Sequence, residues 1–544
     1  MLPDNLGHVF DVPLRLTPDA VAVIQGDTTL SYRQLEDRVC RMANLLLGLG
    51  VRAGDRVAIM FGNDWRFLEA FLGPMRIGAV SVPLNIRMGD SALAYVLDDA
   101  EATVLIAGRD QAERARGVAA QAKSLGHLVA DFLFSGGESQ PLPPWPPPPG
   151  GLRSTAAGGR STDAAVLGYG ALMAAAAPRF RRRRIDPDSV CMQPYTSGST
   201  GKPKGVLLAH RGQIWNADVI RKMACLDHTE RALVAVPLYH KNAMIGAVKP
   251  FLLCGGSLVI LPGFDPVAVI QAIDRHRVTY LTGVPAMYKM MLAETEALAT
   301  HDVRSVRYAL CGSAEVPEEL LAEFRRVFGA PIAESYGLTE GGPVPCAYPR
   351  YGPKKRGACG VDVPQAENRI VRADGTDCDP DEVGELVCRN PGIAQGYWKL
   401  PEVTAQKIRD GWLHTGDLMR RDRDGYYYFI GRKDDMINVA GENVYPKEVE
   451  DILLRHAGLK DACVVPAPHA TKGWVPVAYV VARDPAAAPS EEAVKRFFLE
   501  HGAPYAHPRR VVFLDRLPLG GTGKLDRTAL KRTAAEAGPI ESTR

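Results

Sequence analysis

The sequence predicts an α/β fold in two parts. A large N-terminal domain of parallel or mixed sheets flanked by helices is expected over residues 1–432, and a small α+β domain over 433–544. Three observations predict it. At 544 residues the chain exceeds the size at which one hydrophobic core stops growing. Apolar runs of strand length alternate with segments of helical period through about the first hundred residues and again from Val190 to about Tyr428. Beyond that, the alternation gives way to one proline-opened helix and three short β-branched runs.

Ser31 and Gln34 stand at capping-box spacing, and Leu35, Val39, Met42 and Leu46 then recur at helical period until Gly48 and Gly50 stop the helix. Residues 56–61 read as a strand, 65–77 as a helix, and 79–83 and 103–107 as strands, an alternation that sets a parallel sheet. Residues 135–165 break the pattern. Pro143, Pro144 and Pro146 to Pro149 surround Trp145, and the Gly/Ser/Thr/Ala stretch after them cannot bury a core, so a flexible insertion is expected. Arg181 to Arg184 lack interleaved aromatics and read as a solvated linker rather than a nucleic-acid patch. In the C-terminal part Pro446 takes the first position of a helix, and 462–465, 476–481 and 511–514 read as strands. The charged junction from Arg432 to Asp435 suits a hinge.

Composition narrows the function classes. Sixty-five basic residues against 62 acidic give a net charge of +3, too balanced for nucleic acid or a membrane surface as main partner. The ten cysteines form no Cys-x-x-Cys pair, so they read as reduced thiols and neither as a metal site nor as a disulfide framework. Met1 to Asp11 carries no basic region of a signal peptide, no apolar run is long enough to span a bilayer, and Glu541 to Arg544 matches no lipidation or peroxisomal address. A cytoplasmic protein is expected.

The strongest local signal is Tyr195-Thr196-Ser197-Gly198-Ser199-Thr200-Gly201-Lys202-Pro203-Lys204-Gly205-Val206. Glycines let backbone amides turn toward an anion, hydroxyls add hydrogen bonds, and lysines supply charge. The spacing is not that of a Walker A loop. Gly521-Thr522-Gly523-Lys524 does not fit one either, because Pro518 stands at the required first glycine. By itself a Gly/Ser/Thr stretch is more often an ordinary loop than a phosphate site.

This string resembles the phosphate loop of the adenylate-forming superfamily: acyl- and aryl-CoA synthetases, peptide-synthetase adenylation domains and beetle luciferases. The resemblance continues in order along nearly the whole chain. Pro237-Leu238-Tyr239-His240 is similar to the next motif, and Glu334-Ser335-Tyr336-Gly337-Leu338-Thr339-Glu340 to the adenine and magnesium motif. His414-Thr415-Gly416-Asp417 resembles the ribose motif, the stretch from Gly431 and Arg432 to Gly441 the hinge, and that from Pro518 to Lys524 the C-terminal lysine loop.

The resemblance implies ATP, Mg²⁺ and coenzyme A as cofactors and a carboxylic acid as the small-molecule substrate. Residues 196–204 would cradle the β- and γ-phosphates and Thr339 would touch phosphate. Glu340 would hold Mg²⁺, Tyr336 would stack on adenine, and Asp417 would accept both ribose hydroxyls. Arg432 would lie near the nucleotide, and Lys524 would bridge the carboxylate and the α-phosphate. The small domain is then mobile. It would rotate at Asp434 after adenylation, withdrawing Lys524 and presenting Gly441, Glu442 and Asn443 to the thiol. His240 lines the acyl site in related enzymes; a histidine hydrogen-bonded in the core is the equal alternative. Pocket walls are implied from His240 to Met244, Gly283 to Met287, Gly312 through Ser313 to Ala314, and Gly341 to Val344.

Acetate-specific members carry a tryptophan before the Thr-Glu pair. Here Tyr336-Gly337-Leu338 implies a longer acid: medium, branched or aromatic. Gly341 to Val344 is similar to hydroxycinnamate ligases, whereas Lys241-Asn242 departs from them. The alternatives are an enzyme loading a carrier protein in trans and a catalytically inactive nucleotide-binding protein. The stretch from Pro518 to Lys524 also resembles a Pro-x-x-x-x-Gly-Lys acetylation pattern, which implies a protein acetyltransferase and a deacetylase acting at Lys524; a loop kept for catalysis alone is the equal alternative. The chain is expected to act as a monomer or homodimer, without nucleic acid or membrane.

Overall fold

The computed structural model describes residues 2–131, 165–197, 202–312, 316–342, 344–439, 442–469, 472–518 and 525–540. The chain forms two compact units, one of Met1–Asn368 with Cys388–Leu413 and one of Arg369–Val387 with His414–Arg544.

In the first unit the capping box forms as its spacing predicts. Ser31 Oγ accepts the Gln34 N–H at 3.2 Å and Gln34 Oε1 accepts the Ser31 N–H at 2.8 Å, opening helix Tyr32–Gly48. Leu35, Val39, Met42 and Leu46 are all buried along it. Helix Arg66–Arg76 packs against it and continues through Pro74. Arg76, fully buried on that helix, is matched by Glu36 at 2.6 Å and by the Gly7 carbonyl at 2.8 Å, so its charge does not stand alone in the core.

Two sheets organise this unit, each of nine strands among the described residues. The first runs in the order Val361–Asp362, Cys346–Ala347, Ile332–Tyr336, Tyr308–Gly312, Tyr280–Gly283, Arg231–Val234, Ser257–Ile260, Val21–Gln25, Thr28–Ser31. Its pairs from Ile332–Tyr336 to Val21–Gln25 are parallel, with antiparallel strands at both edges. The second runs Gly396–Tyr397, Pro203–Ala209, Val190–Met192, Val80–Pro83, Arg56–Met60, Ala102–Ala107, His127–Val129, Ala165–Leu167, with Tyr195–Ser197 paired to Pro203–Ala209. Runs such as Val57, Ala58 and Ile59 are buried on both faces, as parallel strands covered by helices must be. The strands expected at 56–61, 79–83 and 103–107 fall here. The expected insertion lies outside the described residues up to 164, and Ala165 opens a short strand. Arg181 to Arg184 are exposed in no regular element, with Arg182 paired to Asp11 at 2.6 Å.

In the second unit Pro446 opens helix Pro446–Leu453. The expected strands lengthen to Leu459–His469 and Gly473–Ala482, with Arg510–Phe513 parallel to the latter. Val464, Val475, Val480 and Phe498 sit in its core. The α/β fold with mixed sheets and a C-terminal part of small sheets is thus present. All ten cysteines are free thiols. No helix among the described residues is long and apolar enough to cross a membrane.

Candidate active site

Parallel strands in neighbouring positions bring their C-terminal ends to one edge, where loops carry side chains free of the ladder. In the first sheet Gly283 registers with Cys311 and Gly312 with Ser335, so Gly312 meets the segment Glu334-Ser335-Tyr336 at that edge. Glu334 Oε1 accepts the Val316 N–H at 2.9 Å, fixing the chain that leaves the neighbouring strand. The segment after Arg231–Val234 joins the same edge, because Lys241 Nζ donates to the Gly337 carbonyl at 2.8 Å. Asn242 is held twice: its Nδ2 donates to the Gly283 carbonyl at 3.3 Å and its Oδ1 accepts the Thr282 hydroxyl at 2.6 Å. A Cβ on Gly312 would stand 3.8 Å from both Asn242 Nδ2 and Ser335 Oγ, so three of the expected pocket walls meet here. His240 is half-buried, and its Nδ1 accepts the Asn242 N–H at 3.2 Å as the cap of a short helix.

The phosphate string forms an antiparallel pair. Tyr195–Ser197 runs against Pro203–Ala209 with Thr196 opposite Lys204. Gly198, Ser199, Thr200 and Gly201 of the connecting loop lie outside the described residues. Lys202 follows them, exposed, with its ammonium 5.5 Å from the centre of the Tyr95 ring. The Tyr195 hydroxyl donates to Asp99 Oδ2 at 2.6 Å and accepts from Gln193 Nε2 at 3.1 Å. Burial and then Asp99 push its pKa up, so it stays a neutral donor. Gly205 is required by this packing: a Cβ would come within 2.7 Å of Gln193 Nε2 and 3.1 Å of the Tyr195 ring.

Glu340 sits on a turn clamped from the neighbouring chain. Ala394 N–H donates to the Glu340 carbonyl at 2.9 Å and Asn390 Nδ2 to the Gly341 carbonyl at 3.0 Å. Gly342 has φ +98° and would place a Cβ 2.2 Å from Asn390 Oδ1, so only glycine closes the turn. Strand Gly396–Tyr397 pairs with Pro203–Ala209, Tyr397 opposite Val206, and the Tyr397 hydroxyl donates to Glu340 Oε1 at 3.0 Å. The phosphate hairpin and Glu340 are thereby tied side by side. A cavity whose walls include Pro194, Lys241 and Thr339 connects the hairpin, the His240 segment and this turn.

No group of three or more His, Cys, Asp or Glu able to hold a metal occurs among the described residues. A Mg²⁺ carried by nucleotide phosphates does not need one, since it takes one or two carboxylates and fills its octahedron with phosphate oxygens and water. Glu340, half-buried and oriented by Tyr397, fits that demand.

In the second unit Asp417 and Arg432 face each other across the pair Trp412–Arg421 and Tyr427–Arg432, with Arg432 Nε 3.1 Å from Asp417 Oδ1. The loop before Asp417 is fixed by Thr415, whose hydroxyl donates to the Leu386 carbonyl at 2.7 Å and accepts the Asp417 N–H at 3.0 Å. Glu385 accepts the Gly416 N–H at 3.0 Å and pairs with Lys433 at 3.1 Å. Burial pushes the Glu385 carboxyl up, but Lys433 and the Gly416 amide outweigh it and hold it below its usual range. Asp434 lies in the short turn Lys433–Asp435, beside Asp435, which pairs with Lys531 at 2.6 Å. Strands Ile437–Val439 and Glu442–Val444 pair antiparallel. Gly441 between them lies outside the described residues, as do Lys524, Ser313 and Ala314.

The structure therefore brings together Thr196, Lys204, His240, Gly312, Glu334, Ser335, Tyr336, Gly337, Thr339 and Glu340 in the first unit, and Asp417 with Arg432 in the second. Tyr397 and Asn390 were missed by sequence reasoning. They lie in a stretch without a motif, and only three-dimensional pairing reveals them.

The AMP-binding enzyme profile matches residues 10–398, and that of the AMP-binding enzyme C-terminal domain matches 448–524. A feruloyl-CoA synthase of Amycolatopsis sp. is 36% identical over 520 residues, covering 95% of this chain and 96% of its own. A long-chain-fatty-acid–CoA ligase of Bacillus subtilis (strain 168) is 30% identical over 524 residues, covering 95% and 92%. The crystal structure of an anthranilate CoA ligase in complex with anthranoyl-AMP superposes with a TM-score of 0.85 at 25% identity, covering 99% of this chain and 98% of that one.

Proposed function

The chain belongs to the AMP-binding enzyme family, and from that premise we propose that it is an ATP-dependent acyl-CoA synthetase, an AMP-forming acid–thiol ligase. The observation that carries this reading is the hydrogen bond from Tyr397 to Glu340, which joins the magnesium candidate to the phosphate hairpin. In the first half-reaction a substrate carboxylate oxygen attacks the α-phosphorus of ATP and pyrophosphate leaves. The acid is already ionised at neutral pH, since carboxyl pKa values lie near ~4, so no general base is required. The demands are charge compensation and alignment of two anions. Thr196, Ser197, Gly198, Ser199, Thr200, Gly201, Lys202 and Lys204 hold the phosphates, Thr339 adds a hydroxyl, and Glu340 holds Mg²⁺, which neutralises phosphate charge. Tyr336 stacks on adenine, Asp417 takes the ribose with Arg432 nearby, and Lys524 spans the carboxylate and α-phosphate.

In the second half-reaction the thiol of coenzyme A attacks the acyl carbon and AMP leaves with the bonding pair. A boundary at 432/433 and a hinge at Asp434 let one chain serve both steps, with Gly441 turning toward the thiol. His240 lines the acyl side, beside Asn242 and Gly312. The acid is medium, branched or aromatic, and the relative named for ferulate supports the aromatic part of that range. We further propose a cytoplasmic enzyme, monomeric or homodimeric, acetylated and deacetylated at Lys524. The test is pyrophosphate release from ATP across a panel of carboxylic acids, with and without coenzyme A. Acid-dependent release with thioester formed from free coenzyme A is expected. Adenylate without thioester would favour a carrier protein as acceptor, and no adenylate at all an inactive nucleotide binder.

A further inference from the structure

The cavity beside Thr339 ends on a lysine that the chemistry above does not use. Lys249 is 1% exposed and lines this cavity with Gln213, Tyr239, Lys241, Met244, Ile245 and Thr339. Its ammonium donates to Gln213 Oε1 at 2.7 Å and Asn216 Oδ1 at 3.0 Å, two amide oxygens presented from one face of helix His210–Met223. An ammonium carries three protons, so one donor remains. Gln213 Nε2 and Asn216 Nδ2 are also buried without an acceptor. The cluster is thus rich in donors and short of acceptors.

A buried cation normally has a counter-charge, because desolvating it alone is costly. Among the described residues no carboxylate pairs with Lys249. Cys191, whose field it feels, is no substitute, since burial pushes that thiol up to about 12 and keeps it neutral. Burial accordingly drives the Lys249 ammonium down to about 7. The space beside it has room for about two or three water-sized groups, enough for one carboxylate. Thr339, next to Glu340, lines the same space, which therefore adjoins the reaction centre proposed above.

We propose that Lys249 receives the far end of the acid, and that the preferred substrate carries a second carboxylate there. This rests on the acyl-CoA synthetase reading above. A carboxylate supplies up to about four acceptor sites, matching the free ammonium proton and the unpaired Gln213 amide at once. A carboxylate paired there favours the ammonium form that burial otherwise disfavours.

The experiment compares α,ω-dicarboxylic acids of increasing length, and one aromatic dicarboxylic acid, with their hydroxyl-ended and methyl-ended counterparts. Pyrophosphate release is read with purified full-length enzyme, ATP and coenzyme A. At one length the dicarboxylate should exceed the methyl-ended acid in kcat/KM. In Lys249→Met that ratio should fall about tenfold to about a hundredfold, through KM rather than kcat. Asn216→Asp keeps the lysine but supplies an internal counter-charge, and should erode the same ratio even if Lys249→Met folds poorly. A wild-type preference for methyl-ended acids at every length, or an unchanged ratio in both variants, would overturn the assignment and leave Lys249 a structural residue. A preference for the hydroxyl-ended acids would overturn the carboxylate in favour of a neutral acceptor. Absence of acid-dependent pyrophosphate release from any acid would instead sink the synthetase reading itself.

Discussion

The Tyr397 hydroxyl donates to Glu340 Oε1 at 3.0 Å, from a strand that pairs directly with the one bearing Lys204. The carboxylate proposed to hold Mg²⁺ is therefore aimed by the same sheet that frames the phosphate loop. Its own turn is clamped by the backbone of Ala394 and the side chain of Asn390. Aim and charge are separable contributions, and substitutions can tell them apart.

Glu340→Gln removes the carboxylate proposed to hold the charge-compensating Mg²⁺ and should lower the adenylation rate on the order of 10²–10³. Tyr397→Phe removes an orienting bond, worth about 0.5–1.5 kcal/mol, and should raise the apparent KM for MgATP by about twofold to about tenfold. ATP–pyrophosphate exchange across a magnesium titration checks both. Equal magnesium dependence in Tyr397→Phe and the parent would disconnect Tyr397 from the metal.

The two half-reactions should separate by mutation. Lys524→Ala is expected to abolish acyl-AMP formation while supplied acyl-AMP still reacts with coenzyme A. Asp434→Pro should do the reverse, because proline fixes φ at the proposed hinge. Thioester formation from supplied acyl-AMP at full rate in Asp434→Pro would argue against domain rotation.

Local chemistry made much of this molecule readable beforehand. The capping box at Ser31 and Gln34, the proline at the start of helix Pro446–Leu453 and the strand at Arg56–Met60 follow from forces acting within a few residues. So does the phosphate hairpin, whose glycines and hydroxyls leave a signature in order along the chain. What stayed hidden depends on partners far away in sequence. Tyr397 meets Glu340 across 57 positions, and Lys249 meets Gln213 across 36. A lone lysine beside a proline carries no mark of burial. Only the fold shows that amide oxygens stand where a carboxylate would be expected.

The second unit holds an ion pair whose loss should be felt through that unit. Arg527 grips Glu450 with both terminal nitrogens, at 2.6 and 2.7 Å, and Glu450 also accepts the Val464 N–H at 2.7 Å. Glu450 is buried, so Arg527→Met leaves a carboxylate without compensation and should cost about 3–5 kcal/mol. The double variant Arg527→Met with Glu450→Met should recover part of that loss. Amide hydrogen exchange in strand Leu459–His469 reads the effect. A single variant no less protected than the double would mean that solvent already reaches the pair.

Acid sensitivity should come in part from His210. The ring is fully buried, and its Nδ1 accepts the Leu6 N–H at 3.0 Å, which places the proton of the neutral ring on Nε2. Burial first, and His8 second, pull its pKa from 6.5 to about 4. The folded form thus binds a proton less readily than the unfolded chain. Its contribution to stability is complete above about pH 6.5, declines as pH falls toward about 4, and changes no further below that. A shift of this size corresponds to at most about 3 kcal/mol. His210→Asn can keep the bond from Leu6, since its Oδ1 stands where Nδ1 does, while removing the titration. Urea unfolding of both proteins between neutral pH and about pH 4 provides the measurement. The variant should gain on the parent by about 3 kcal/mol across that window, whatever its stability at neutral pH. Parallel curves would show that His210 is protonated in the folded protein without penalty, and would place the acid sensitivity elsewhere.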